Sequence, residues 1–405
     1  MSDVIVIGAG AAGMTAAIAA AEAGARVRVL EKNADAGRKL AITGKGRCNV
    51  TNNCTFDELM ENIPRNGRFL YSALSAFTPQ DTMALFEGLG VPLTTERGKR
   101  VFPTSGRARD IVNALEGRLK ALGAELIQER ADSLIIEDGR CAGVRGRREY
   151  RGAVVLATGG MSYPRTGSDG YGYTLAKSAG HTVIPPEPSL SAMETKQRWA
   201  AQAAGLDLRN ISMALYDGDK QIYSDFGELQ FTAHGVSGPT VLSASAHIPR
   251  MESGRYSIRI DLKPALSEKQ LDARILRDFA ERRGTPFGES LRGLLPQQLT
   301  APVAALSGVD PLKNVDEVTR EERRALVSLL KCVRLDITRF RPIEEAIVTR
   351  GGVCVKEISP KTMESKLCGG LFFAGEIIDV DAYTGGFNLQ IAFSTGMAAG
   401  KAAAR

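Results

Sequence analysis

Strand, glycine turn, helix and strand follow one another within the first 31 residues, a glycine-rich strand-and-turn pattern returns after residue 345, and three prolines interrupt the chain at 183–195. Together these predict an α/β fold in which a parallel-sheet domain is assembled from both chain ends, with a β-rich domain and a small helical domain inserted between them. At 405 residues and 43% apolar content, the chain is too long for a single core, so more than one domain is expected.

The segment "DVIVIGAGAAGMTAAIAAAEAGARVRVLEK" reads as a strand at 3–7, a glycine turn, an alanine-rich helix over about 11–23 and a strand at 26–31. Short apolar strands flanking such a helix make a parallel βαβ unit. "GRKLAITGKGRCNVTN" (37–52) is too basic for a buried strand and too glycine-rich for a stable helix, so it reads as a loop. A helix starts at Thr78-Pro79, with Asp81 three residues after the cap, and another spans about 107–122. Residues 124–158 alternate apolar and polar around "EDGR" and predict an antiparallel meander that runs into a strand at 153–158. Short alternating segments over 205–262 predict further β-structure, and the spacings Ser267/Gln270 and Thr319/Glu322 start helices within 266–333. "GLFFAGE" is a buried strand and "LQIAFSTGMAAGKAAA" a closing helix. The expected boundaries are 1–190 with 345–405 for the sheet domain, 191–265 with 334–344 for the β-rich domain, and 266–333 for the helical domain.

Composition excludes several classes. Six irregularly spaced cysteines suit reduced thiols and a cytoplasmic setting rather than a disulfide framework. Three histidines with no CxxC or HxxxH spacing give no metal pattern. No apolar run approaches the roughly 18 residues of a membrane span. The net charge is +6, yet the basic clusters at 97–100 and 145–149 lack interleaved aromatics, so nucleic acid is not expected as a partner. A polyanionic cofactor would use the same charge. Oligomeric state is not readable from this sequence.

The chemistry concentrates in four places. Gly8, Gly10 and Gly13, with Ala9, Ala11 and Ala12 between them, form G-x-G-x-x-G between strand and helix, where backbone N–H groups and the helix end meet a diphosphate. Glu31 ends the second strand eighteen residues after Gly13, placed for ribose hydroxyls and against a 2′-phosphate. The loop that follows at once, rather than regular βα units, favours FAD over a tightly held NAD. Lys32, Gly37, Arg38, Lys39, Thr43, Gly44, Gly46, Arg47, Cys48 and Asn49 would run along the dinucleotide, Arg38 and Lys39 neutralising its negative charge. "VVLATGG" brings Ala157, Thr158, Gly159 and Gly160 to the sheet's carboxyl edge, and Ala131 joins the same cofactor-facing set. At the C-terminus, Gly375 and Glu376 face the ribityl chain, while Gly386, Phe387, Asn388 and Leu389 begin a helix whose positive end meets the flavin's pyrimidine carbonyl. Cys48 and Cys54 are separated by five residues, not the four of flavin disulfide reductases, so Cys48 is expected to pack rather than react.

The segments "GRKLAITGKGRCNVTN", "GGMSYPRTGSDGYGYTLAKSAGH", "FTAHGVSGP" and "LFFAGEIIDVDAYTGGFNLQIAFSTG" together resemble the BaiN/YhiN-like family of FAD flavoproteins, also described as aminoacetone-oxidase-like NAD(P)/FAD-dependent oxidoreductases. The resemblance runs from residue 4 nearly to the end. It implies a Rossmann-like FAD-binding domain of the two-dinucleotide-binding-domain flavoprotein type carrying the two inserts. One departure is that many relatives place His directly after Phe-Thr, where this chain has Ala233 and then His234; His234 is therefore expected to be structural or capping. Ser is common in the family where Thr43 stands.

The expected activity is FAD-dependent reduction with NADH or NADPH as transient donor. What the resemblance implies for the substrate is a small molecule with a carbon–carbon double bond conjugated to a ketone, of steroid or bile-acid type. Such a reaction needs a proton donor or oxyanion partner, for which Tyr383, Tyr163, Arg47 and Arg165 are the candidates. An oxidase of a small primary amine such as aminoacetone, and an FAD-containing RNA-binding or RNA-modifying protein, are the alternatives.

Overall fold

The computed structural model describes residues 2–405. The chain forms two compact units: one runs to Ser189 and resumes from Pro342 to Arg405, the other is Leu190–Arg341.

The first unit is built on a five-stranded parallel sheet of β1 (Asp3–Ile7), β2 (Arg26–Glu31), β3 (Glu125–Gln128), β4 (Ala153–Leu156) and β5 (Leu371–Phe373), in the order β5-β4-β1-β2-β3. Central β1 is apolar and buried from Val4 to Ile7 because both of its faces are covered. Helix α1 (Ala11–Glu22) is buried on nearly every side, which its alanines and small residues permit. It packs on α2 (Phe387–Ala403), the closing helix. Contact there is backbone to backbone: a Cβ on Gly400 would lie 2.0 Å from the Ala16 carbonyl oxygen, and one on Gly396 would lie 2.5 Å from that of Ala12.

Two local expectations are corrected. Glu125–Gln128 is not part of the antiparallel meander but the parallel edge strand beside β2. Three of its four residues are exposed, as suits an edge strand; the meander itself is Ser133–Glu137, Arg140–Arg145 and Glu149–Arg151. The basic stretch is not all loop either, since Arg38–Ile42 is a short helix followed by a 3₁₀ turn at Thr43–Gly46. Its glycines fall at the ends, Gly37 at φ +64° as the cap and Gly44 at φ +56° after it, so none weakens the helical turn itself.

The second unit contains a closed six-stranded barrel, in order Met193–Thr195, Gly235–Ser237, Lys220–Thr232, Asp207–Asp217, Tyr256–Asp261 and Val333–Phe340. The helices Glu268–Glu281 and Arg320–Lys331 start at the expected capping boxes, Ser267/Gln270 and Thr319/Glu322. They do not form a separate domain, however. Leu271, Ile275, Leu326 and Leu330 share one core with Ile258, Ile260 and Leu335 of the barrel, because amphipathic helices of this length need a partner surface to bury their apolar faces. His234 is neither buried nor a side-chain cap: it is exposed at the hairpin turn, where its backbone N–H donates to Thr232 Oγ1.

Candidate functional site

The predicted cofactor residues converge at the carboxyl end of the parallel sheet. Gly8 N–H donates to the Leu30 carbonyl at 2.8 Å, Ala157 N–H to that of Ile7 at 2.9 Å, and Ala374 N–H to that of Leu156 at 3.0 Å. The turns after β1, β4 and β5 are thereby joined at one edge, where open α/β sheets bind ligands.

Within the first turn the glycines do different work. A Cβ on Gly13 would lie 1.8 Å from the Gly8 carbonyl oxygen, so that glycine is dictated by packing of the helix on the strand. A Cβ on Gly10 would meet nothing within 4 Å. Gly10 is also the cap of α1, with no side-chain capping bond and no acidic residue in the first turn. Open space before an uncapped helix end is what a diphosphate requires.

Glu31 is held firmly beside this turn. Its Oε2 accepts from Ala9 N–H at 2.8 Å, and its Oε1 accepts from the backbone and side chain of Asn33 at 2.9 and 2.7 Å. Three bonds leave lone-pair capacity on a carboxylate for a ribose hydroxyl. Lys32 pairs with Asp169 at 2.7 Å, and Ala131 is buried two residues beyond Glu129, whose N–H donates to the Glu31 carbonyl. Gly37 N–H donates to the Ala9 carbonyl, which docks the basic segment on the glycine turn.

Arg38 donates to Asn33 Oδ1 at 3.0 Å rather than standing free. Lys39 Nζ reaches across to Glu376 Oε2 at 2.8 Å and Ser162 Oγ at 2.6 Å. Glu376 Oε1 accepts from Thr349 N–H at 2.7 Å and from Ser162 Oγ at 3.0 Å, and Thr349 Oγ1 accepts from Met161 N–H at 2.8 Å. This network fixes the Gly159-Gly160 turn against Glu376: a Cβ on Gly160 would fall 2.3 Å from Thr349 Oγ1. Ser162 and Thr349 were not legible as site residues, because Thr349 joins the turn from 187 positions away and no local motif marks it.

At the other end, Gly386 at φ +100° caps α2 without any side-chain bond, leaving the first N–H groups of Phe387, Asn388 and Leu389 at an open positive end. The Asn388 side chain does not face outward for a ligand. It ties the turn instead, accepting from Ala382 N–H at 3.0 Å and donating to the Ala382 carbonyl at 2.7 Å. Asn52 Nδ2 donates to the Gly385 carbonyl at 3.0 Å. Buried Gln390 accepts from Thr51 Oγ1 and Thr82 Oγ1 at 2.6 and 2.8 Å and donates to the Phe77 carbonyl and Ser394 Oγ at 3.1 and 3.0 Å. The basic segment is thus clamped onto the closing helix.

The four catalytic candidates stand in different surroundings. Arg47 pairs with Glu96 and lies over the Phe102 ring at 4.3 Å. Tyr163 stands at φ +53° with its N–H donating to the Glu344 carbonyl. Arg165 is exposed. Tyr383 is half-buried, and burial and then the nearby Asp381 hold its phenol above the usual range.

Cys48 is wholly buried at φ +59°, and burial pushes its thiol up to about 12. Cys54 is buried and likewise raised, whereas Cys332 is exposed. With iodoacetamide at pH 8, Cys332 is expected to alkylate rapidly, and Cys48 and Cys54 only once denaturant is added. Peptide mapping by mass spectrometry reads this directly; early labelling of Cys48 would contradict its buried, protonated state.

The residues present fit FAD. The α1 and α2 ends carry no side-chain cap, a Cβ on Gly10 would meet nothing within 4 Å, and Glu31 keeps lone-pair capacity beside that space, which together suit a diphosphate and its ribose. Fold and site define an FAD-dependent oxidoreductase with a Rossmann-like cofactor domain. The chain matches the family described as HI0933-like protein Rossmann domain over residues 2–402, and it belongs to that family. It is 33% identical to a 3-dehydro-bile acid delta(4,6)-reductase of Clostridium scindens, covering 100% of this chain and 99% of that protein. It is 29% identical to a ribosomal RNA dihydrouridine synthase of Escherichia coli, covering 98% and 96%. A solved structure of 3-ketosteroid-delta4-(5alpha)-dehydrogenase from Rhodococcus jostii RHA1 shares the fold at TM-score 0.52 and 18% identity, covering 100% of this chain and 97% of that one. No helix among the described residues is long and apolar enough to cross a membrane.

Proposed function

We propose that this chain reduces a carbon–carbon double bond conjugated to a carbonyl in a small steroid-like molecule, drawing electrons from NADH or NADPH. The observation that carries the reading is the full-length relationship to a protein named as a bile-acid reductase. When bound, FAD supplies a two-electron carrier between nicotinamide and substrate.

The protein's own residues would do the remainder. The Gly8–Gly13 turn and the positive end of α1 hold the diphosphate, and Glu31 receives a ribose hydroxyl. The segment Gly37–Asn49, the turn Ala157–Gly160 and Glu376 line the middle of the cofactor. The amino end of α2 at Gly386–Leu389 stabilises negative charge on the reduced ring system. Tyr383, with its proton tightly held, is the leading proton donor to the carbon beside the carbonyl; Tyr163, Arg47 and Arg165 stand behind it as partners for the developing oxyanion.

A second reading has a specific observation in its favour. The relatives named as ribosomal RNA dihydrouridine synthases match nearly the whole chain, and the C5=C6 bond of uracil is also conjugated to a carbonyl. Anaerobic mixing of the purified yellow protein with NADH and with NADPH, followed by a panel of steroid enones and by unmodified ribosomal RNA, tests both. Rapid bleaching by a nicotinamide and reoxidation by an enone is the expected result. Reoxidation by RNA alone would move the assignment to the second reading, and bleaching only by a primary amine such as aminoacetone would identify an oxidase and overturn both.

A further inference from the structure

We propose that Asp381 is the proton-holding residue behind Tyr383, an inference that rests on reading the chain as a reductase of conjugated double bonds. Asp381 lies in a bridge with Arg65, and the Tyr383 N–H donates to the Asn62 carbonyl at 3.0 Å, so residues 381–383 run extended alongside 62–65. In an extended segment the side chains of residues i and i+2 leave on the same side. Asp381 and Tyr383 therefore share a face, immediately before the Gly385-Gly386 turn.

The setting of Asp381 is that of an acid rather than an anion. The residue is 1% exposed; its Oδ2 accepts from Ser189 Oγ at 2.7 Å, and its Oδ1 is buried with no hydrogen-bond partner. Burying a carboxylate with an oxygen unmet is costly, whereas a carboxylic acid tolerates it. Three further charged groups act on it: Arg65 and Arg350 favour the anion and Asp379 opposes it. Arg65 is paired with Asp379 at 3.2 Å and Arg350 with Glu187 at 2.5 Å, so both cations are compensated elsewhere. Burial prevails and lifts the Asp381 carboxyl above its ordinary range.

The proton balance is simple. As hydride from the reductant reaches the distal carbon of the double bond, the carbon beside the carbonyl takes the Tyr383 hydroxyl proton, its C–H bond forming as the O–H bond breaks. The Asp381 carboxyl bonds Ser189 and not the tyrosine, so its O–H then breaks with the proton passing through an intervening water to restore the tyrosine. The carboxylate left behind regains its proton from water between turnovers. Asp381 never touches the substrate, so it is a positioning and proton-supplying residue.

Its test has a readout independent of turnover. Infrared difference spectra of the holoenzyme at neutral pH are expected to show a carboxylic-acid carbonyl band that D381N lacks; an identical spectrum for both overturns the proposal. Because the folded carboxyl is raised, the stability it contributes is full below the unfolded value near roughly pH 4 and is lost as pH rises through the folded value. Wild-type melting temperature should therefore fall more steeply than that of D381N from about pH 4 upward. In turnover, D381N should lower kcat by roughly tenfold with KM unchanged, Y383F by roughly a hundredfold, and the double variant no further than Y383F. S189A, which removes a bond favouring the anion, should shift the alkaline limb of the kcat profile to higher pH. If wild type reduces an enone and D381N matches it within twofold, the proposal fails while the reductase reading stands; if wild type reduces none, the reductase reading itself fails.

Discussion

Gly10→Ala is expected to weaken FAD binding by roughly a hundredfold while leaving the apoprotein within about 1 kcal/mol of wild-type stability. The affinity loss corresponds to about 2.8 kcal/mol at 1.4 kcal/mol per decade. Nothing in the protein opposes a methyl group at this position, since no atom lies within 4 Å of its site and the backbone φ of −84° is ordinary. The stability cost is only that of alanine as a poor helix cap. The methyl would instead occupy the place where the diphosphate must come close to the N–H groups of α1. Gly13→Ala should behave in the opposite way. The Gly8 carbonyl oxygen at 1.8 Å is backbone of a turn tied to β2 through the Gly8 N–H and cannot yield, so a loss of at least about 3 kcal/mol of stability is expected, even without cofactor. Denaturant unfolding of the apoproteins and flavin-fluorescence titration separate the two effects. Equal damage to folding by both substitutions would show that the space before Gly10 is no cradle.

Gln390→Leu carries the second large expectation, a stability loss of about 3 kcal/mol. The leucine fits the volume but leaves the Thr51 and Thr82 hydroxyls buried without their acceptor, and removes donors from the Phe77 carbonyl and Ser394. Unpaired buried groups cost more than the bonds themselves contribute. The denaturant midpoint should fall with the slope unchanged. Because Thr51 backs directly onto Gly386, where a Cβ would lie 2.5 Å from the Thr51 carbonyl, flavin affinity should fall as well. A variant as stable as wild type would mean the clamp between the basic segment and α2 is dispensable.

The parts of this fold legible in the sequence are those fixed by local rules. The βαβ opening follows from an apolar run, three spaced glycines and a carboxylate at the end of β2. The helix starts at Thr78, Ser267 and Thr319 each rest on a cap bonded to the residue three positions on, and all appear where expected. What escaped is set at long range. Glu125–Gln128 is as short as the strands that follow it, and only its parallel pairing with β2 distinguishes it from the meander. Arg38–Ile42 was obscured because glycines flanking a helical turn look, in composition, like glycines within one. Thr349 lies in no motif, and the segments that hold Ser162, Gln390 and Asp381 do not mark these side chains; the roles of the four arise from partners 187, 214, 339 and 192 positions distant. Lys39 and Glu376 are each expected beside the cofactor, and their pairing with one another across 337 positions has no local signal in the sequence.

The close packing of α1 on α2 sets a timetable for the growing polypeptide. Ala16 leaves the ribosome 384 positions ahead of Gly400, against whose bare backbone it must pack. At 5–20 residues per second the first helix waits roughly 20–80 s with its alanine face exposed. The Leu190–Arg341 unit is made in that interval and has a core of its own to collapse around. Assembly of the nucleotide-binding half is therefore a late event, and chains stalled before α2 emerges would present a sticky, unpartnered segment to chaperones and proteases.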